Sequence, residues 1–219
     1  MDILLIAATA REIQPFFEYY RNSKKTQNID ILITGIGLTA ATYHLVKQLT
    51  LKRPDVVVQA GVAGCFDKNI PLGTVVIVRK EAIADQSVIE KEKLKTLFDL
   101  GLVRHDQFPF KNGWLQNDHD MIRNSKLKKV NAISVNEITT SKQRVKFYVD
   151  AFRPVIESME GAALHYTCLM EKIPFIQLRS ISNYIAERNK ERWDMKKSIV
   201  NLNNELINLV EKLNSNRKL

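Results

Sequence analysis

The chain has 219 residues, of which 45% are hydrophobic and 26% charged, and its formal net charge is +9. This length and apolar content allow a sizeable core, and the even spread of apolar segments predicts one domain over residues 1–219. No apolar run approaches the length of a membrane span, so no membrane partner is expected.

The sequence pI of about 9.5 raises the question of nucleic-acid binding. The lysines are scattered, mostly among acids, and no aromatic residues alternate with them; Lys128-Lys129 and Lys196-Lys197 are typical. That pattern is typical of a solvated surface, so no nucleic-acid partner is expected. Cys65 and Cys168 lie far apart in apolar surroundings, which predicts reduced core thiols, and no leader is recognised, so a cytoplasmic location is expected.

The first predicted element is an apolar strand over residues 2–8, buried on both faces. A helix follows, in which Pro15 is tolerated because it lies near the helix start. Glu12 therefore lies just beyond the carboxyl end of the first strand, where ligands bind in open α/β sheets. An ordinary acid in a first helical turn is the alternative interpretation.

The second predicted strand is a buried one over residues 29–34, and a glycine-rich turn follows it. Gly35, Gly37 and Ala40 satisfy a dinucleotide fingerprint formally, but no acid ends the next strand and no P-loop lysine follows. The glycines indicate that the backbone closely approaches a ligand or a packed neighbour. A helix is predicted from this turn to about Leu51.

The third predicted strand, residues 56–59, leads into the small-residue segment Ala60-Gly61-Val62-Ala63-Gly64, a floor against which a flat ring could lie. A strand is predicted over residues 74–78 and a charged surface helix over residues 91–100. Two short motifs contain possible metal ligands, the pair His105-Asp106 and the triplet Asp118-His119-Asp120. Their spacing fits no known metal site, so no metal and no other cofactor is expected.

The last third of the chain contains a strand over residues 130–138, a helix over 141–152, a strand over 174–181 and a final helix. The predicted packing face of the final helix consists of Ile199, Leu202, Leu206, Leu209 and Leu213. The recurrence of strand, small-residue segment and helix indicates an α/β protein.

The segment 154–163 predicts a strand that runs directly into a helix. Gly161, Ala162 and Ala163 allow the helix start to lie close to its neighbours. Glu160 lies at the helix N-terminus, where free amides and the helix dipole favour an anion. We expect an ionised carboxylate that points out of the fold and binds ligand hydroxyl groups; a functionless first-turn acid is the alternative.

Several of these segments, in this order, resemble the nucleoside phosphorylase and nucleosidase superfamily, and in particular its futalosine hydrolases. The motifs are Glu12, Gly35-Ile36-Gly37, Ala60-Gly61-Val62-Ala63-Gly64, Ser158-Met159-Glu160-Gly161-Ala162, Leu178-Arg179-Ser180-Ile181-Ser182-Asn183-Tyr184 and Glu187-Arg188-Asn189. The resemblance implies a three-layer αβα sandwich around a mixed, partly barrel-like sheet, a nucleoside substrate and a homodimer or larger homo-oligomer.

The resemblance also implies roles for individual residues in cleaving a ribosyl–purine bond. Glu12 would position and deprotonate the attacking water, and Glu160 would hold the ribose hydroxyls beside a cationic sugar. Arg179 is a less definite substrate-binding or orienting residue. Further residues would surround the sugar and the base: Met159, Ala63, Gly64, Ile138, Thr139 and Trp193.

Asn183 separates the substrates that the resemblance allows. The adenine-releasing nucleosidases have an aspartate at this position, whereas a carboxamide can donate to a 6-oxo group and accept from a protonated nitrogen-7. Hypoxanthine is therefore the expected base, although Asn183 is not an acid and the proton donor to the base stays open. The turn at Gly37 lacks the arginines of a phosphate site, which favours water over phosphate. An adenine-releasing nucleosidase and a purine nucleoside phosphorylase are the alternatives.

Futalosine also carries a benzoate, which calls for a cation in the pocket. Arg11, His44, Arg188 and Arg192 are candidates, and the sequence does not choose among them.

Overall fold

The structure, a computed structural model, describes residues 1–23, 28–185 and 190–215, so the Glu187-Arg188-Asn189 motif lies outside the described residues. The strands β1 to β11 are Ile3–Ala7, Ile29–Ile33, Val56–Cys65, Val75–Ile83, Ser87–Glu90, Lys93–Thr96, Phe110–Lys111, Trp114–Gln116, Lys128–Ser134, Ile156–Ser158 and Phe175–Tyr184. The helices α1 to α6 are Gln14–Asn22, Leu38–Leu51, Asp120–Arg123, Lys142–Phe152, Gly161–Met170 and Met195–Ser215.

Five strands close into a barrel. β3 pairs with β10, β10 with β9, β9 with β4, β4 with β11, and β11 again with β3. One buried apolar cluster takes residues from all five strands, among them Ala63, Val78, Val130, Ile156 and Ile181. β1 and β2 extend the sheet in parallel from β3, and β8 and β7 extend it antiparallel from β4. The sheet is therefore mixed and partly closed, as predicted.

Helices cover both faces of the open part of the sheet. Ile3 and Leu5 of β1 belong to a cluster that includes residues of α6, whereas Leu4 and Ile6 pack in a second cluster with α2 and α5. Because successive strand residues point to opposite faces, this alternation requires both faces to be apolar. It explains the continuous apolar run at the start of the chain and confirms the three-layer arrangement.

Several predicted elements differ from the structure. Residues 91–100 do not form a helix: β5 and β6 form a hairpin there, turned by Lys91 and Glu92 with φ of 48° and 60°. The alternation Lys93-Leu94-Lys95 is that of a strand, and Leu94 packs against a buried cluster. β2 is an edge strand rather than a buried one, with Ile33 41% exposed.

The strands that reach the candidate site are longer or shorter than predicted. β3 continues through the whole small-residue segment to Cys65, and β11 includes Ser182, Asn183 and Tyr184. β9 ends at Ser134, so Ile138 and Thr139 lie in the connection before α4. Within the residues that the structure describes, no helix is long and apolar enough to cross a membrane.

Candidate active site

A cavity of about 320 Å³ lies where β1, β3, β10 and β11 end. β1, β3 and β11 are parallel, so their carboxyl ends meet at one edge of the sheet. The predicted site residues that line the cavity are Glu12, Ala63, Gly64, Ile138, Met159, Glu160, Asn183 and Trp193. The fold thus brings these residues, which are far apart in the sequence, together around one cavity.

Glu12 is 8% exposed and lies in a short 3-10 turn, Ala10–Ile13, before α1. Its Oε2 accepts hydrogen bonds from the backbone N–H and the hydroxyl of Thr9, each at 3.0 Å. Its Oε1 accepts from the Val62 N–H at 3.1 Å. Because a carboxylate oxygen can accept two hydrogen bonds, Oε1 retains one position for a water molecule.

Glu160 lies at the N-cap of α5 and is 5% exposed. Its Oε1 accepts from the Gly37 N–H at 3.1 Å, and its Oε2 lies 3.4 Å from both terminal nitrogens of Arg179. The carboxylate borders the cavity but is buried among these donors, so the expectation that it points out of the fold is wrong. Gly37 has φ +92°, which an L side chain rarely adopts, and this conformation accompanies its contact with Glu160.

Arg179 is 1% exposed and does not line the cavity. Besides Glu160, its guanidinium donates to Gln59 Oε1 at 3.1 Å and to the Val62 carbonyl at 3.4 Å. A Cβ on Gly61 would collide with this guanidinium. The glycine therefore makes room for an arginine beneath the site, and the geometry gives Arg179 an orienting position.

Asn183 faces the cavity beside Gly64. A Cβ added to Gly64 would lie 3.2 Å from the side-chain nitrogen Nδ2 of Asn183. Its Oδ1 accepts from the Ser182 hydroxyl at 2.9 Å, while its Nδ2 has, among the described residues, only a 3.4 Å contact with the Tyr184 carbonyl. The amide oxygen is thus anchored, and the amide nitrogen has N–H capacity for a ligand.

Thr139 is not part of the cavity wall. It is 2% exposed, and its N–H donates to Glu157 Oε1 at 3.0 Å instead of facing a ligand. Glu157 does border the cavity, and burial raises the pKa of its carboxyl group. Its Oε2 is buried without a partner among the described residues.

The candidate cations for an anionic substituent differ in position. Arg11 borders the cavity, whereas His44 Nδ1 contacts the Thr34 carbonyl at 2.9 Å. Arg192 borders a neighbouring surface pocket with Lys68, and Arg188 lies outside the described residues.

Buried polar residues beneath the cavity were not singled out from the sequence. Burial raises the pKa of Glu81 to about 7 and lowers the pKa of His165 to about 4. The clearest sequence signals were the two glutamines Gln59 and Gln177 within β3 and β11, whereas Glu81 follows the charged pair Arg79-Lys80 in β4 and does not stand out. Burying any of these polar side chains without a hydrogen-bond partner costs free energy.

Two other features do not form the site. A larger cavity of about 620 Å³ between α2, α5 and the β6–β7 connection has a mainly apolar wall without carboxyl groups. Asp118, in one of the metal motifs considered above, forms an ion pair with Arg79 at 2.8 Å. Within the described ranges, no three His, Cys, Asp or Glu residues lie close enough to hold a metal ion.

The fold and the site define an α/β protein with two acids and a carboxamide around one pocket. The Phosphorylase superfamily matches residues 4–214. The chain therefore belongs to this superfamily, and the prediction of membership is confirmed.

Two relatives of the chain are, by name, a hydrolase and a nucleosidase. It is 27% identical over 194 residues to a futalosine hydrolase of Thermus thermophilus, covering 86% of this chain and 84% of that protein. It is 24% identical over 184 residues to a 5'-methylthioadenosine/S-adenosylhomocysteine nucleosidase of Maridesulfovibrio salexigens, covering 78% and 74%. The prediction of an N-glycosidic bond hydrolase agrees with these names.

Solved structures show the same fold. The futalosine hydrolase of Helicobacter pylori superposes with a TM-score of 0.76 at 18% identity, covering 97% of this chain and 98% of that one. A 5'-methylthioadenosine/S-adenosylhomocysteine nucleosidase of Colwellia psychrerythraea, in complex with adenine, gives 0.79 at 22% identity, covering 97% and 96%.

Proposed function

We propose that this chain is an N-ribosyl hydrolase that cleaves futalosine with water, releasing hypoxanthine and dehypoxanthine futalosine in menaquinone biosynthesis. The carboxamide of Asn183 on the cavity wall carries the choice of base. The futalosine hydrolase of Thermus thermophilus, 27% identical, supports the choice of substrate. We also propose that residues 1–219 form a single nucleosidase domain and that the protein is cytoplasmic.

Glu12 activates the water. Its three hydrogen bonds fix the carboxylate, and the open position on Oε1 receives the water. As the bond to the base breaks, Glu12 accepts the proton of the water that attacks the anomeric carbon. Because the Glu12 carboxylate and the attacking water are already oriented, little entropy is lost on reaching the transition state, and this contributes to the rate.

Glu160 stabilises the sugar. Bond cleavage leaves positive charge on the ribose ring, and a carboxylate in this buried position interacts with it more strongly than it would in water. The Gly37 amide and the Arg179 guanidinium keep this carboxylate in place. Met159 packs against the sugar in this proposal, and Glu160 accepts hydrogen bonds from its hydroxyl groups.

Asn183 recognises the base. Its amide nitrogen donates to the 6-oxo group, and its oxygen, which accepts from Ser182, has a second position for the protonated nitrogen-7. Trp193, Ile138, Ala63 and Gly64 enclose the purine ring.

Water rather than phosphate is the proposed nucleophile. Ile36 stands on the cavity wall at the glycine turn, and Arg11 is the only arginine among the described residues lining this cavity. A phosphate dianion usually requires several such donors. The rival with specific support is an adenine-releasing nucleosidase that acts on methylthioadenosine, because the Maridesulfovibrio salexigens relative is named a 5'-methylthioadenosine/S-adenosylhomocysteine nucleosidase.

One experiment separates these activities. The protein is incubated with futalosine, aminodeoxyfutalosine, methylthioadenosine and inosine, with and without phosphate, and the released base is identified by chromatography. Hypoxanthine from futalosine without phosphate is expected. Adenine from methylthioadenosine with no cleavage of futalosine, or an absolute need for phosphate, would refute the proposal.

A homodimer or larger homo-oligomer is also proposed. α2 and α5 are neighbours, and they expose Tyr43 and Tyr166 by 61% and 40%. Val46 and Met170 add to this apolar α2–α5 face. Large apolar residues exposed together on two neighbouring helices are typical of a protein interface.

A further inference from the structure

The N-terminus of α5 is capped in an unusual way. The side chain of an N-cap residue normally accepts a hydrogen bond from the second or third helical N–H. Glu160 occupies the N-cap but makes no such bond. The N–H of Ala162 instead donates to the hydroxyl of Ser134 in β9, at 2.8 Å.

Ser134 is in turn held by a buried acid. Its hydroxyl donates to Glu81 Oε1 at 3.0 Å, and both residues are fully buried. Because a hydroxyl has one proton, donation to Glu81 leaves its lone pairs for the Ala162 amide. Glu81, Ser134 and the Ala162 amide form a continuous connection from β4 through β9 to α5, which we name the Glu81 strut.

The neighbouring residues fit closely around the strut. Glu81 Oε2 is buried without a hydrogen-bond partner among the described residues and lies where a Cβ on Gly161 would be. Gln177 Nε2 lies close to the same point. Glycine at position 161 therefore allows the first turn of α5 to rest directly on this acid.

We infer that Glu81 and Ser134 are positioning residues, which satisfy the N-terminus of α5 and so leave the Glu160 carboxylate available to the substrate. Without the Ser134 hydroxyl, the Ala162 N–H loses this acceptor, and the carboxylate of the N-cap residue Glu160 can turn back to cap it. If the Glu160 side chain turns back to cap the helix, it loses its hydrogen bonds to Gly37 and Arg179 and its contact with the ribose. The inference rests on the proposed function of Glu160.

The test compares four variants on whichever nucleoside of the panel the wild type cleaves. Ser134→Ala removes the hydroxyl, Glu81→Ala removes its acceptor, and Glu81→Gln retains an oxygen that can accept from Ser134. Cys168→Ser perturbs the buried far end of α5 without touching the strut and is the control for lost stability. Rates are measured well below each variant's melting temperature.

We expect Ser134→Ala and Glu81→Ala to lower kcat by about tenfold or more with KM changed less than about threefold, because contacts to the cationic sugar are strongest in the transition state. Glu81→Gln and Cys168→Ser should stay within about threefold of the wild-type kcat. A merely structural role would lower the melting temperature of Ser134→Ala while sparing kcat, and that result would overturn the inference. So would a Glu81→Gln variant as slow as Glu81→Ala, since charge rather than the hydrogen bond would then matter.

A crystal structure of Ser134→Ala provides a readout that does not depend on activity. The expected result is a Glu160 carboxylate turned towards the Ala162 amide. Glu160 still bonded to Gly37 would refute the strut, even if the wild type cleaved none of the nucleosides. Should Glu81→Ala fail to fold, Ser134→Ala, which removes one oxygen atom, carries the test alone.

Discussion

The substitution Asn183→Asp tests how the base is chosen. In the structure, Asn183 Oδ1 accepts from Ser182 at 2.9 Å, and Nδ2 is the atom free to donate to a 6-oxo group. An ionised aspartate at this position presents two acceptors. The 6-oxo group of hypoxanthine then faces another acceptor and loses its hydrogen bond. The 6-amino group of adenine gains an acceptor for its N–H.

The size of the effect follows from one mispaired polar contact. An unsatisfied buried group costs about 1–3 kcal/mol, which corresponds to about 5- to 150-fold in kcat/KM. Asn183 is half-buried, which favours the lower part of that range. We expect the ratio of kcat/KM for inosine to that for adenosine to fall by about tenfold, because the penalty applies to one base and the gain to the other.

The assay is initial-rate hydrolysis of inosine and adenosine, which differ in the 6-substituent, together with futalosine when available. Asn208→Asp, at an exposed position of α6, makes the same chemical change outside the cavity and is the matched control. An unchanged inosine-to-adenosine ratio in Asn183→Asp would remove the argument from this residue. An equal shift in the control would attribute the effect to net charge.

Three further predictions concern catalysis, stability and assembly. Glu12→Gln should lower kcat by about 10²–10⁴-fold with an unchanged circular dichroism spectrum, because the amide cannot accept the proton of water; turnover near the wild-type rate would exclude Glu12 as the base. Between pH 4.5 and 7 the folded chain retains a proton on Glu81 that the unfolded chain has lost, so this group lowers the stability as the pH rises. His165 is neutral in the folded chain and acts in the opposite direction, raising the stability between pH 4 and 6.5. Relative to wild type, the free energy of unfolding of Glu81→Gln in urea should therefore increase by about 3 kcal/mol between pH 4.5 and 7, and a constant difference would contradict the raised pKa. Tyr43→Glu combined with Tyr166→Glu should convert the proposed oligomer to a monomer in light scattering, and an unchanged mass would place the interface elsewhere.

The sequence predicted those elements whose pattern depends on local burial. Continuous apolar runs located β1, β3 and β11, and the small residues after Glu160 located the start of α5, because burial on both faces leaves few alternatives for such residues. The position of Glu12 follows from the carboxyl end of β1. Glu160 follows β10, which pairs antiparallel with β3, so its approach to Glu12 depends on the closure of the barrel. Local periodicity misled where the hairpin β5–β6 has charges on one face, and the apolar run of β2 did not reveal that this strand lies at the edge of the sheet.

The polar layer beneath the site could not be predicted in the same way. Glu81 directly follows the charged pair Arg79-Lys80, and His165 precedes Tyr166 and Thr167, so neither stands out in the sequence as a buried polar residue. Their burial depends on partners from other elements. Thr139 was placed in the wall because the sequence does not show that its N–H is used by Glu157. Such pairings arise from the barrel closure, which brings together strands with no sequence signal for each other.

The hydrogen bonds of the two acids also determine when the site can first form. Glu12 depends on Val62, and Glu160 depends on Gly37 and Arg179, so each carboxylate is fixed by residues more than forty positions away or on a later strand. A nascent chain released from the ribosome only as far as α5 would carry both acids but lack β11, the strand that closes the barrel. Hydrolytic competence should therefore arise only late in synthesis, and slow folding is the expected cost of such distant contacts.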